Sequence, residues 1–185
     1  MASQGPNFPD TGVSGADFTS LNPGWSNADR VVASDDSYAT VILDPKGFPG
    51  GLFSDWLDVT DFDFTIPTGA TPTSILVEIE LKYSTSGTDV GYIAEVDLIV
   101  AGAHFGIPIT ADTNITTSDV FYSKTFSSGL PTAAQINAAD FGACVAVGDP
   151  GNDPGKATLT VSCDSMRITI TYLVSGGKEQ IVVID

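Results

Sequence analysis

The chain has 185 residues, with 23 Asp or Glu against 7 Lys or Arg and a formal charge of −16. Phosphate binding needs clustered cations, and no such cluster exists, so nucleic acid and anionic membrane are excluded as partners. Hydrophobic content is 42% and mean hydropathy is +0.17, enough for one domain with a core, and no run approaches the ~18 apolar residues that span a bilayer.

The acids divide into 19 Asp and 4 Glu. Asp suits turns and caps, whereas Glu suits helices, so the bias fits a turn-rich β protein. The first residues, Met1 to Asn7, carry no basic region and no apolar run. No secretory signal is expected there, and synthesis in a cytoplasm follows.

Residues 1–24 are rich in Gly, Pro, Ser and Asp, with isolated Phe8 and Phe18. They read as an irregular N-terminal arm rather than a strand. Trp25 to Ala28 precedes a turn at Ser34-Asp35-Asp36-Ser37, and Tyr38 to Leu43 is a predicted strand. Pro45, Gly47, Pro49, Gly50 and Gly51 make 44–55 a loop. In 56–66, Leu57 and Val59 share one parity while Phe62, Phe64 and Ile66 share the other. The switch near Thr60-Asp61 predicts a bulge or corner between two strands.

Pro67 to Ala70 is a turn, and 75–83 is the plainest strand of the chain. Ile75, Val77, Ile79, Leu81 and Tyr83 alternate with Glu78, Glu80 and Lys82, giving one dry face and one wet face. A further strand covers 92–100, and weaker ones lie near 103–109 and 120–126. Thr132 to Gln135 fits a capping box and a short helix. Phe141 to Val147 is a strand, and Gly148 to Gly155 is expected to close a hairpin with the strand starting at Ala157. That last strand changes parity between Cys163 and Met166, which predicts a bulge near Asp164-Ser165.

These elements predict an all-β fold: an antiparallel β-sandwich, jelly-roll-like, with one short helix. The expected organisation is an arm at 1–24, the sandwich at 25–174 and a C-terminal arm at 175–185 with an apolar end. Ile181, Val182, Val183 and Ile184 follow a Ser-Gly-Gly hinge. They either return as an edge strand or dock on a partner subunit.

Chemistry-bearing motifs are sparse. His104 is the single histidine and is read as structural, because a triad or metal centre needs further partners beside it. Nucleophile-elbow, Walker and dinucleotide motifs are absent. Asp61 and Asp63 form a carboxylate pair, but on a strand they lie opposite Phe62 and Phe64 and read as a solvated face. No catalytic residue and no cofactor is expected. Asp149, Asn152 and Asp153 offer oxygen ligands in a Gly-rich loop and are weak candidates for Ca²⁺, although the prolines account for that loop as turns. Cys144 and Cys163 read as buried free thiols, with a cross-strand disulfide as the alternative. Asn114-Ile115-Thr116 is a formal glycosylation sequon without a secretory context.

The segments Trp25-Ser-Asn-Ala-Asp, Ala33-Ser-Asp-Asp-Ser-Tyr-Ala-Thr40, Phe62-Asp-Phe-Thr-Ile-Pro-Thr-Gly-Ala70 and Met166-Arg-Ile-Thr-Ile-Thr-Tyr172 resemble a β-sandwich module of tailed-bacteriophage virion proteins. The resemblance covers about residues 22–173. It implies a non-enzymatic virion component, first a capsid decoration (cement) protein. The partners it implies are the major capsid protein and other copies of the chain, with a trimer favoured. The alternative is a carbohydrate- or host-surface-binding module, with Trp25, Trp56, Tyr83 and Tyr92 as a stacking platform.

Overall fold

The computed structural model of the chain describes residues 1–15, 22–44, 52–150 and 157–174, with backbone alone for 106–112. The strands are β1 (Ala2–Asn7), β2 (Thr11–Ser14), β3 (Ala39–Leu43), β4 (Leu52–Phe53), β5 (Leu57–Thr60) and β6 (Thr71–Thr85). After them come β7 (Tyr92–Val100), β8 (Ala103–Asn114), β9 (Val120–Phe126), β10 (Gly142–Asp149) and β11 (Leu159–Leu173), with helix α1 at Ala133–Ile136. A 3₁₀ turn spans Ala28–Val31. All pairings are antiparallel.

The first sheet runs β1-β11-β6-β9, with β3 also on β11. β6 pairs along the length of β11, while β3 takes Leu159 to Cys163 and β1 takes Ile168 to Tyr172. Those two strands therefore divide the opposite edge of β11. The second sheet runs β2-β5-β10-β7-β8, with β4 also on β10. The two sheets pack face to face as an antiparallel β-sandwich, the arrangement expected from alternating strands that each have one dry side.

The inner faces supply one core. Ile75, Val77, Ile79 and Leu81 of β6 meet Val161, Met166, Ile168 and Ile170 of β11, and Leu57, Val145, Ile93 and Val96 face them from the second sheet. The bulge expected near Asp164 is present as a register shift between Cys163 and Ser165. It keeps apolar residues inward on both halves of a 15-residue strand. The wet face of β6 is ordered by cross-strand pairs. Arg167 donates to both carboxylate oxygens of Glu78, at 3.0 and 3.1 Å, and lies 4.0 Å over the Phe121 ring. Thr132 and Gln135 form the expected capping box at α1.

Four expectations change. Within 44–55, read as a loop, Leu52–Phe53 form β4 and pair with β10. Residues 2–7 and 11–14, read as irregular, are strands that enter the first and second sheets in turn. Their low apolar content hid them, because they lie at the outer columns of the sheets. β10 and β11 form no hairpin: they belong to different sheets. The segment after β5 is not a second strand; Asp61 and Asp63 both take positive φ, 66° and 52°. It makes the expected corner by leaving the sheet while keeping Phe62, Phe64 and Ile66 buried.

The C-terminal segment 175–185, with Ile181 to Ile184, lies outside the described residues, as do Asn152 and Asp153. Asp149 is fully buried at the end of β10. Both cysteines are free thiols. Cys163 points into the core between the sheets and Cys144 sits on the opposite side of the second sheet, so the disulfide alternative is not realised.

Truncating Leu81, which has no solvent exposure, to Ala should cost about 2–5 kcal/mol in urea unfolding. The wet-face change Thr169→Ala should stay within about 0.5 kcal/mol.

Candidate binding site and a buried polar row

The segment 61–65 and the end of α1 enclose an open hollow of about 310 Å³, lined by Asp61, Asp63, Phe64, Thr65, Asn137, Ala138 and Ala139. Side chains alternate here although the segment is not a strand: Phe62, Phe64 and Ile66 turn into the core, whereas Asp61, Asp63 and Thr65 turn outward. Phe62 and Phe64 stack at 6.0 Å, and Phe64 meets Phe141 edge-on at 6.0 Å. That aromatic group anchors the segment from below.

Its backbone is held from both sides. Asp10 N–H donates to the Asp61 carbonyl at 2.9 Å, and Asn7 Nδ2 donates to the Phe62 carbonyl at 2.7 Å. Gln4 Oε1 accepts from Thr65 N–H at 3.0 Å, and Gln4 Nε2 donates to Thr65 Oγ1 at 3.1 Å. Asn137 grips both groups of Ile66: its Oδ1 accepts from the N–H at 2.7 Å, and its Nδ2 donates to the carbonyl at 2.8 Å. The amide thus does the work of a neighbouring strand. Among the described residues neither carboxylate, Asp61 nor Asp63, makes a hydrogen bond. Two acceptor groups are therefore presented to solvent on a fixed backbone, which is how a preorganised polar ligand site is built.

The second feature lies on the outer side of the second sheet. β10 carries small residues there, Gly142, Cys144, Ala146 and Gly148, and all are buried. Larger groups from the flanking strands close over them. Trp56, Ile99, Cys144 and Ala146 make a second apolar cluster. A Cβ at Gly148 would fall 2.6 Å from the Tyr92 ring, so the bare glycine lets that ring lie flat.

Polar groups run through this layer. Cys144 is directly opposite Asp58 on β5 and Asp97 on β7. His104, on β8, places Nε2 3.2 Å from Asp58 Oδ1 and stands edge-on to Trp56 at 4.8 Å. β8 is three strands from β5, about 14 Å in a flat sheet. Side chains stand roughly perpendicular to a sheet, so the short His104–Asp58 distance requires the second sheet to curl toward its outer side.

His104, expected to have no chemical partners, therefore meets Asp58 and the Cys144 thiol. Their ligand atoms all lie within 4.8 Å of one another. Burial pushes the Cys144 thiol far up, with the carboxylates of Asp58 and Asp97 adding to the effect. Nothing in sequence order hints at this grouping, since the residues stand at 58, 104 and 144. The tryptophan platform is not realised: Trp25 and Trp56 are each only 6% exposed. Trp25 Nε1 donates to the Asp55 carbonyl at 2.9 Å, and Tyr83 and Tyr92 are half-buried.

No family model matches the sequence, and no curated protein matches it. Solved structures that match include a CBM4 carbohydrate-binding module, at 16% identity and TM-score 0.40, covering 74% of this chain and 85% of that one. Another is the N-terminal cellulose-binding domain of Cellulomonas fimi β-1,4-glucanase C, at 12% identity and TM-score 0.41, covering 94% and 95%. The β-sandwich assignment rests on the strand pairing itself and not on these likenesses.

Two predictions arise from this geometry. Asn137→Ala leaves Ile66 without its two side-chain bonds and should lower stability by about 2 kcal/mol in thermal unfolding. The second concerns pH. Burial raises the carboxyls of Asp58, Glu95, Asp97 and Asp164. A raised folded value gives stability that is present below the ordinary carboxylate range and lost as pH rises through the folded value. The melting temperature should therefore rise as pH is lowered from 7 toward about 4–5, and Asp97→Asn should flatten that slope.

Proposed function

We propose that this chain is a non-catalytic binding module that takes a carbohydrate in the hollow between Asp61–Thr65 and Asn137–Ala139. The observation that carries the reading is an open hollow whose two carboxylates, Asp61 and Asp63, make no hydrogen bond among the described residues and stand beside Ala138 and Ala139. Sugar hydroxyls donate to carboxylates, and the C–H faces of a pyranose pack on small apolar surface such as Ala138 and Ala139. The volume suits one sugar unit with water around it. A neutral glycan also avoids the repulsion that an anionic one would meet at a chain of charge −16. Hydrolysis is a poorer reading. A glycosidase sets two carboxyl groups on either side of the scissile bond, whereas Asp61 and Asp63 come from one three-residue stretch.

A glycan array followed by calorimetry tests this. The intact chain should bind a neutral oligosaccharide, and Asp61→Asn with Asp63→Asn should weaken binding at least about tenfold while the fold is kept. Binding unchanged in the double variant, or no glycan bound at all, would reject the site.

A second reading is the virion decoration protein that the resemblance implies, and one observation favours it. β1 and β11 end together, with Ala2 opposite Tyr172, and around that end Met1, Leu173 and Val174 are 77%, 46% and 52% exposed. Such an apolar end suits contact with a capsid protein or another copy of the chain. Solution mass by light scattering, with and without residues 176–185, separates the readings. A trimer that falls to monomer on truncation supports assembly through Ile181 to Ile184; a monomer in both forms removes the oligomer argument.

A further inference from the structure

We propose that Asp58, His104 and Cys144 form a binding site for a divalent transition-metal ion, Zn²⁺ by preference, that ties the outer layer of the second sheet together. The site shares no residue with the carbohydrate hollow and stands or falls independently of it.

The geometry comes first. Asp58 and Cys144 face each other across adjacent strands, and the curl of the sheet brings His104 Nε2 to 3.2 Å from Asp58 Oδ1. All three ligand atoms lie within 4.8 Å of one another. Ligands held at about 2.0–2.3 Å in a tetrahedron sit about 3.3–3.8 Å apart. The observed spacing thus needs only rotamer adjustments of the kind that metal entry brings.

The donor set selects the metal. One thiolate, one imidazole nitrogen and one carboxylate oxygen suit Zn²⁺, whereas Ca²⁺ and Mg²⁺ take oxygen alone. Solvent can supply the fourth ligand, because the side chains of His104 and Asp58 keep 32% and 19% of their exposure while Cys144 lies at the bottom.

The chemistry balances without a redox partner. The Cys144 thiol faces the Asp97 carbonyl at 3.7 Å. On binding, the Cys144 sulfur loses its proton to solvent and forms the metal–sulfur bond. One proton is released per ion if His104 enters neutral and Asp58 ionised. Asp97 and Glu95 lie near the thiol, and their negative charge favours a bound dication. A metal here would join β5, β10 and β8. It would relieve the crowding of acid around a sulfur that the apolar Trp56 cluster leaves poorly solvated.

The test is Co²⁺ titration of the intact, reduced chain, followed by Zn²⁺ competition. The expected result is a thiolate-to-cobalt charge-transfer band at one ion per chain, displaced by Zn²⁺. It should be absent in Cys144→Ser and retained in Cys163→Ala, whose thiol lies in the other layer. Loss of an outer partner alone costs about 10–100-fold in metal affinity, so His104→Ala and Asp58→Asn should each weaken binding by about 100-fold or more. Both residues are partly exposed, so these variants keep the readout alive if Cys144→Ser fails to fold. Zn²⁺ should also raise the melting temperature and EDTA reverse it. The proposal is overturned by the absence of a thiolate band in the intact chain. It is equally overturned by a band that survives Cys144→Ser, or by one indifferent to both His104→Ala and Asp58→Asn.

Discussion

The central strand of the second sheet, β10, must be thin on one side. Its inner residues, Ala143, Val145 and Val147, belong to the main core, and its outer residues are Gly, Cys and Ala. Because those outer positions are small, larger side chains of β5, β7 and β8 converge above them. On this same side His104 meets Asp58 at 3.2 Å. The approach to β10 also fixes the start of the neighbouring corner, since Asp61 N–H donates to the Phe141 carbonyl just ahead of β10. Both features described above hang from that strand.

The first fourteen residues act as a seam. β1 joins the first sheet and β2 the second, and between them Gln4, Asn7 and Asp10 hold the 61–65 backbone. A corner with two positive-φ aspartates would have little reason to keep one shape alone. The side chains of Gln4 and Asn7, the Asp10 N–H and an aromatic anchor make it a defined surface. Glycine matters at two places in this seam: Gly5 has φ +109° and a Cβ there would lie 2.4 Å from the Ile168 carbonyl oxygen, and a Cβ at Gly12 would lie 2.2 Å from the Ala28 carbonyl oxygen.

The acidic character of the chain is distributed with purpose. On the first sheet, carboxylates meet cations: Glu78 with Arg167, and Asp119 with Lys82 at 3.1 Å. On the second, Asp58 and Asp97 are drawn into a layer where His104 is the neighbouring group able to carry positive charge. Asp164 shows a third use. At the bulge of β11 its carboxyl is buried, and burial raises it while the backbone of Asp35 and Asp36 lowers it. The bulge seen at Asp164-Ser165 is met from the side of the Asp35-Asp36-Ser37 turn, where Val32 bridges Ser165.

Period-two alternation in 75–83, 92–100 and 159–172 was enough to determine strands, a sandwich and the bulge at Asp164, because burial of one face writes itself directly into residue order. The capping box at Thr132 was legible for the same reason: its partners are three residues apart. Sheet membership was not legible. Whether β10 pairs with β11 or with β5 and β7 depends on contacts between remote segments, and alternation is identical in either case. The two sites escaped as well. Asp61 and Asp63 read correctly as outward-facing, yet the hollow needs Asn137, Gln4 and Asn7, which carry no signal of their destination. His104 read as solitary because Asp58 and Cys144 are far away in the chain. Only the pairing of strands in the second sheet brought a carboxylate, an imidazole and a thiol together.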